Sequence, residues 1–421
     1  VSVILSIVEQ HVEEVAILWL RRARATHEPH YSLADLAKLE GHVEAHVDGL
    51  RIAGDSAWDV CCDELKWEEP GEIFAAGVLA LESDRRDRID KVLEVAASAP
   101  ELERGFVSAL GWIESAAVVK HLDAFIASKE PAVRRIGLAG FAVRRKDPGP
   151  LLVRLLSDGD PRVRARAIKA VAELGRRDLV PNVLQLVRDA DDDCRFYAAW
   201  TAARLGQRYE PMIGTLVEFA ERPGPRQIQA LGMALRSLDA AAAKAWLRRL
   251  GPKAETLRVA TIGIGILGDP ELMSTLLQLM TNDEVARVAG ESFSMITGID
   301  LAYDDLERDR PEGFESGPTE DPADENVALD EDENLPWPDA ELIAKWWSSH
   351  GSRFQPGRRY LCGREINVES ARQVLVDGKQ RQRAAAALEL ALLQPAEPLF
   401  EIRARGSWQQ RWLGSAGGRP S

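Results

Sequence analysis

Between residues 131 and 206, apolar and charged positions follow a pattern that returns about every 30 residues. Pro161-Arg-Val-Arg-Ala-Arg-Ala-Ile-Lys-Ala-Val-Ala-Glu-Leu-Gly175 aligns with the stretch Asp192 to Gly206 at an offset of 31 positions. The stretch Pro131 to Arg145 lies 30 positions upstream. Within one unit, Val163, Ala167, Ala170, Val171 and Leu174 fall at helical spacing and make one apolar stripe. Asp160 stands where a carboxylate can accept from the free N–H groups of a first helical turn. Pro161 suits that turn, and Gly175 suits a left-handed helix end. The segments on either side carry bulkier residues: Leu151, Leu152 and Leu155 before, Val183, Leu184 and Val187 after. Small side chains on one helix and large ones on the next predict interlocking helix pairs. A fixed period of this length predicts an all-α solenoid.

The pattern continues in both directions. Phe74 to Leu81 and Phe106 to Trp112 precede it, and Gln227 to Leu235, Leu257 to Gly268 and Val285 to Gly298 follow, which makes about eight units over 69–299. Residues 1–68 lack the repeat but keep helical spacing, as in Ile4, Ile7, Val8, Val12, Val15 and Leu18. Glu28-Pro29-His30 breaks the first helix and Ser32 can cap the second. This segment is placed to seal the open apolar end of the array. His42 and His46 share one helix face there. The metalloprotease pattern needs Glu directly after the first His, where Val43 stands, so the expectation is a structural pair packing the cap on the first repeat. Residues 340–421 predict a closing helical segment. It has a short turn or strand at Tyr360 to Ile366, helices at Val368 to Leu375 and Lys379 to Leu393, and a tail, Gly406 to Gly414, folded back on the last of these.

Charge changes the picture in one place. The chain carries 53 Lys and Arg against 67 Asp and Glu, a net charge of −14. Of these, 14 acidic residues and only two arginines fall between Asp304 and Glu333. Such a stretch, broken by Pro and Gly and poor in apolar residues, predicts a flexible acidic segment over 300–339. A uniformly acidic protein is a poor general binder of nucleic acid or anionic membrane. No 18-residue uncharged apolar run is present, so no membrane span is expected. Val1 to Val8 is apolar but has no basic lead and meets Glu9, Glu13 and Glu14, a poor signal peptide. Four scattered cysteines form no CxxC pair. The expectation is a cytoplasmic protein.

Candidate chemistry is thin. The seven histidines are scattered, and neither a G-x-S-x-G elbow nor a phosphate-binding G-x-x-x-x-G-K-[ST] loop occurs. Gly263-Ile-Gly-Ile-Leu-Gly268 matches G-x-G-x-x-G, but inside a helical repeat rather than after a strand, so close helix packing is the better reading. No enzyme, metal or cofactor is expected. Arg134, Arg135, Arg144, Arg145, Lys146, Arg162, Arg164, Arg166, Lys169, Arg176 and Arg177 cluster on the middle units. They suit either an acidic partner or ion pairs with Asp158, Asp160 and Asp191 to Asp193. No aromatic residues interleave with them, which argues against direct nucleic-acid binding.

Repeats of the form Asp-Pro-x-Val-Arg…Ala…Ala…Leu-Gly resemble the HEAT-like family in its short form, over roughly 71–299. That family includes binding scaffolds and a few lyases that attach bilin pigments, so the fold alone does not settle function. Three further stretches, His46 to Gly54, Val288 to Leu301 and Gln380 to Leu392, resemble a HEAT-like family encoded beside bacterial type VI secretion genes. That resemblance implies a protein partner in toxin delivery, and foremost an immunity protein for a nuclease-type effector. The alternative is an adaptor that loads or assembles secretion cargo. A nuclease presents cationic side chains to phosphate, which an acidic segment can imitate. The expected partner contacts are therefore Asp304, Asp305, Glu307, Asp309, Glu312, Glu315, Glu320 and Asp321, with Trp337, Trp346 and Trp347 as apolar anchors.

Overall fold

Asp160 and Asp191 set the phase of the repeat. The Asp160 carboxylate accepts from the backbone N–H groups of Arg162 and Val163 at 2.9 and 3.0 Å, and Asp191 accepts from that of Cys194 at 2.9 Å. Each starts a helix one period apart. The computed structural model describes residues 3–317 and 330–414. Apart from one two-stranded hairpin and isolated bridges, the regular structure of these residues is helical. The fold is an all-α solenoid of helix pairs.

The chain divides into two compact units. The first comprises the described residues of Val1–Gly206, Lys379–Arg381 and Gln394–Ser421. It opens with a cap of α1 (Leu5–Ala25), α2 (Leu33–Ala53) and α3 (Asp55–Glu64). The repeats follow as α4 (Pro70–Ser83), α5 (Arg86–Ser98), α6 (Glu103–Trp112), α7 (Ala117–Ile126), α8 (Pro131–Val143), α9 (Pro150–Leu155), α10 (Pro161–Glu173), α11 (Val180–Gln185) and α12 (Asp192–Arg204). Helices α4, α6, α8, α10 and α12 stack directly on one another, and α5, α7, α9 and α11 lie against that row. Ala167 and Ala170, fully buried, let neighbours in the row approach closely.

The second helix of the N-terminal segment starts at Ser32. The Ser32 hydroxyl accepts from Asp35 N–H at 3.2 Å while the Asp35 carboxylate accepts from Ser32 N–H at 2.9 Å, a reciprocal capping box. Helix α1 then seals α4: Trp19 stacks on Phe74 with ring centroids 5.5 Å apart, and Phe74 meets Trp112 edge-on at 5.2 Å. The histidines differ from expectation. His42 is exposed, and His46 lies within the cap with its Nδ1 3.0 Å from Nδ1 of His11. Neither packs the cap on the first repeat, because Trp19 and its apolar neighbours already fill that seam.

The second unit comprises Gln207–Gly378 and Gln382–Leu393. Its helices are α13 (Met212–Glu221), α14 (Gln227–Ser237), α15 (Ala240–Leu250), α16 (Ala254–Leu267), α17 (Met273–Leu279) and α18 (Ala286–Thr297), with α14, α16 and α18 stacked and α13, α15 and α17 beside them. The two rows thus hold the eight units counted from the sequence. Then come α19 (Ala340–His350), capped by Asp339, the hairpin β1 (Tyr360–Leu361) and β2 (Arg364–Glu365), α20 (Val368–Asp377) and α21 (Gln380–Leu393). The hairpin covers helix ends. Tyr360 N–H donates to Gly268 C=O at 2.9 Å, and Cys362 and Gly363 N–H donate to Met295 and Ile296 C=O at 2.7 and 2.9 Å. These are carbonyls at the ends of α16 and α18 that a helix cannot satisfy internally.

The first unit uses the same device on a larger scale. Residues 394–405 form a strap across the C-terminal ends of α12, α10, α8 and α6, in that order. Arg204, fully buried at the end of α12, donates to the carbonyls of Pro395 and Glu397. Leu399 N–H donates to Glu173 C=O at 2.9 Å, and its own carbonyl accepts from Arg145 Nε at 2.6 Å. Arg405 reaches Trp112 C=O at 3.4 Å. Helix α22 (Gly406–Gly414) then packs on α2 within the first unit. The reason is the buried Glu40 of α2, which accepts from Gly406 N–H at 2.5 Å and from Arg22 at 2.7 Å. Where the sequence predicts one closing segment over 340–421, these residues are divided between the two units.

Candidate partner-binding surface

The acidic segment belongs to the second unit, and both its ends are fixed. Arg308 N–H donates to Trp337 C=O at 2.8 Å and Asp339 N–H to Leu306 C=O at 2.9 Å. Leu306, Leu335 and Trp337 are buried. Arg287 of α18 holds Asp330 at 2.7 Å, and Arg258 of α16 grips Asp332 through both carboxylate oxygens at 2.5 and 2.8 Å. Burial alone would raise the pKa of Asp330. Hydrogen bonds from Arg287, Ser316 and the Asp332 N–H outweigh it and bring the group down to about 2. Composition predicts a solvated loop, but it cannot show that α16 and α18 each offer an arginine to the returning chain.

Between these fixed points the expected contacts separate into three groups. Asp304, Asp305, Glu307, Asp309, Glu312 and Glu315 are exposed, beside Tyr303 with 85% of its surface accessible. They form an acidic arc. Glu320 and Asp321 lie outside the described residues. The tryptophans face inward. Trp337 is only 9% accessible, with the Arg287 guanidinium 4.8 Å from its ring centroid and Phe314 edge-on at 4.8 Å. Trp346 is half-buried between Phe293, at 5.6 Å, and His350, at 4.5 Å. Trp347 lies against Phe354 at 5.3 Å. These rings hold the segment to α18 and α19.

The basic residues of the middle repeats are largely engaged within the first unit. Arg134 pairs with Asp158 at 2.8 Å, and Arg164, one period later, with Asp189 at 3.1 Å. Each arginine of one repeat thus holds the aspartate that precedes the next. Arg135 pairs with Glu103, Arg176 with Asp147 and Asp178, and Arg144 donates to the carbonyls of Leu110 and Ile113 at the end of α6. Asp160 and Asp191 cap helices instead of pairing.

One cluster escaped the sequence reading. Glu173 of α10 and Glu401 of the strap are both buried. Arg166 approaches Glu173 at 2.8 Å and Lys169 at 3.8 Å, while Arg403 and Arg145 approach Glu401 at 3.0 and 3.3 Å. Burial pushes the Lys169 ammonium down to about 8, with Glu173 opposing that and Arg403 and Arg166 adding to it. The sequence held half of this signal, an Arg, a Lys and a Glu on one face of α10, but Glu401 and Arg403 lie more than 200 positions away.

Burial pushes the thiols of Cys194 and Cys362 up to about 12, away from the nucleophilic thiolate. Among the described residues no three His, Cys, Asp or Glu side chains converge as metal ligands, and no helix is long and apolar enough to cross a membrane. The family model for HEAT repeats matches residues 149–236, which run from α9 to α14. A search of curated proteins finds no match to the chain. The match supports a HEAT-like repeat character for that stretch, and such repeats suggest protein partners.

Proposed function

We propose that this protein is an immunity protein that binds and neutralises a type VI secretion effector of the nuclease type. The observation that carries this reading is the exposed acidic arc, Asp304 to Glu315, projecting from a fixed base. Six carboxylates without an apolar covering suit a cationic, phosphate-binding surface. Their anchorage through Leu306, Trp337 and the Arg258 and Arg287 clasps lowers the ordering cost that a free loop would incur on binding. Trp337 is buried and Trp346 and Trp347 pack against rings of the same unit, so the apolar part of the contact falls to Tyr303. The three stretches that resemble the family beside type VI secretion genes supply the biological setting.

The test is co-expression with the nuclease-type effector that the proposal pairs with this protein. The protein should protect the cells. Replacing Asp304, Asp305, Glu307 and Asp309 by Asn or Gln should slow association with the toxin and flatten its dependence on salt, because screening acts within about 8 Å at physiological ionic strength. A protein that is needed for export yet gives no protection is an adaptor, and the proposal is then wrong.

A further inference from the structure

We propose that His11 and His46 form a binding site for a divalent transition-metal ion, Zn²⁺ or Cu²⁺, that clasps α1 to α2 within the cap. Two imidazole rings meet here through the same atom. Nδ1 of His11 lies 3.0 Å from Nδ1 of His46, with the ring planes at 72° and their centroids 5.1 Å apart. Two bare nitrogens repel each other at this distance, so something positive must lie between them. It is either a proton carried by one ring or a metal ion shared by both. Two nitrogens bound to zinc at about 2.0–2.1 Å in a tetrahedral site lie roughly 3.3 Å apart. The pair is therefore within a few tenths of an ångström of a chelating geometry. Imidazole is a ligand that zinc, copper and nickel all accept, and water fills the remaining positions of such an open site.

Packing builds this arrangement. His11 comes from α1 and His46 from α2, so the contact is set by how two long helices lie together. The seat of the His11 ring is Gly49. A Cβ placed there would lie 2.6 Å from Nε2 of His11 and 2.7 Å from its Cδ2, so the ring rests on the bare backbone of α2. Glycine weakens a helix interior relative to alanine, and Gly49 stands well inside α2. The notch it leaves gives that cost a purpose, since it lets Nδ1 of His11 reach His46. Both rings are only partly buried, so small ions have access to them. When a metal ion enters, the ring that carried its proton on Nδ1 carries it on Nε2 instead. Both imidazoles stay neutral, and acid opposes binding because a protonated ring cannot coordinate. The exposed His42, one turn before His46 on α2, offers a rival chelate on the surface of a single helix, and the experiment separates the two.

This site is independent of the acidic arc, which belongs to the other unit, and its test needs no toxin. The full chain, freed of metal by dialysis against a chelator, is titrated by calorimetry with Zn²⁺, with Cu²⁺ and, as a hard-cation control, with Mg²⁺. Thermal unfolding is followed with and without each ion. The wild-type protein should bind a single Zn²⁺ or Cu²⁺ in the micromolar range and ignore Mg²⁺. It should also melt at a higher temperature with the ion present, since a ligand held only by the folded chain stabilises it. His11→Gln and His46→Gln should each weaken binding at least tenfold. Gly49→Ala removes no ligand but should weaken binding too, by displacing the His11 ring, while His42→Gln should leave it nearly unchanged. Melting without metal confirms that every variant is folded. The proposal is overturned if neither Zn²⁺ nor Cu²⁺ binds at millimolar concentration, if His11→Gln or Gly49→Ala binds as the wild type does, or if His42→Gln is the variant that abolishes binding.

Discussion

A Cβ placed on Gly175 would lie 2.7 Å from the carbonyl oxygen of Ala396, so the strap crosses the end of α10 at a distance that only glycine permits. The same residue has φ +69° and ends the helix in the left-handed region. Two demands converge on one position. Gly149, the residue before α9, shares only the positive φ, +64°, because no atom lies within 4 Å of its Cβ site. Gly149→Ala should therefore cost about 1–3 kcal/mol for the positive-φ backbone alone. Gly175→Ala should cost about 1–3 kcal/mol more from crowding. Urea unfolding of the two variants measures the difference, and equal losses would mean that the strap yields freely.

Ala170 should not tolerate a larger side chain. It is fully buried in the helix row, and Ala170→Leu should destabilise by about 1–3 kcal/mol through overpacking. Arg166 shares its helix but is no neutral control, since its loss strips a close cation from buried Glu173. Exposed Arg162 is the proper comparison, and Arg162→Ala should shift the unfolding midpoint hardly at all.

Lys169 should weaken the fold at neutral pH. Its pKa, about 8, lies below the ordinary 10.5, so the unfolded chain binds more protons between those values and stability rises with pH across that window. Below pH 8 the cost is fully present, up to about 3 kcal/mol. Lys169→Met should raise the melting temperature at pH 7, and the gain should shrink as the pH approaches 10.5. A variant equally stabilised at both ends of the range would disprove this.

Asp330 works in the other direction. Its pKa of about 2 lies below the ordinary 3.8, so its clasp stabilises the fold above pH 3.8 and the benefit is lost as the pH falls through 2. The shift corresponds to roughly 2 kcal/mol. Asp330→Asn should lower stability at pH 6 by about that amount and should remove this part of the acid sensitivity, as read from unfolding between pH 6 and pH 2.

The repeats were legible because their information is local. Asp160, Pro161, Ala167, Ala170 and Gly175 each act within one helix or on its immediate neighbour, so a period of about 30 residues reveals them. The Ser32 cap was legible for the same reason. The strap was not, since Gly175 reads as an ordinary helix end until Ala396 is seen against it. Likewise Trp337 looked like a partner anchor because its flanks are acidic, and only the positions of Arg287 and Phe314 show that it faces inward. The candidate surface was half visible: the carboxylates stood out by composition, while the clasps that fix them depend on residues far apart in the chain.

The strap also changes how the first unit must assemble. A simple repeat array can form from any point by adding neighbours, since each contact is short in sequence. Here Arg22 donates to the carbonyl of Arg403, 381 positions away, at 2.6 Å. Closing a loop of that length must wait until the repeats between its ends have been made, and such non-local pairing is slow. Until then the ends of α6, α8, α10 and α12 remain without this cover. The strap thereby acts as a latch that converts a string of nearly independent repeats into one cooperative body.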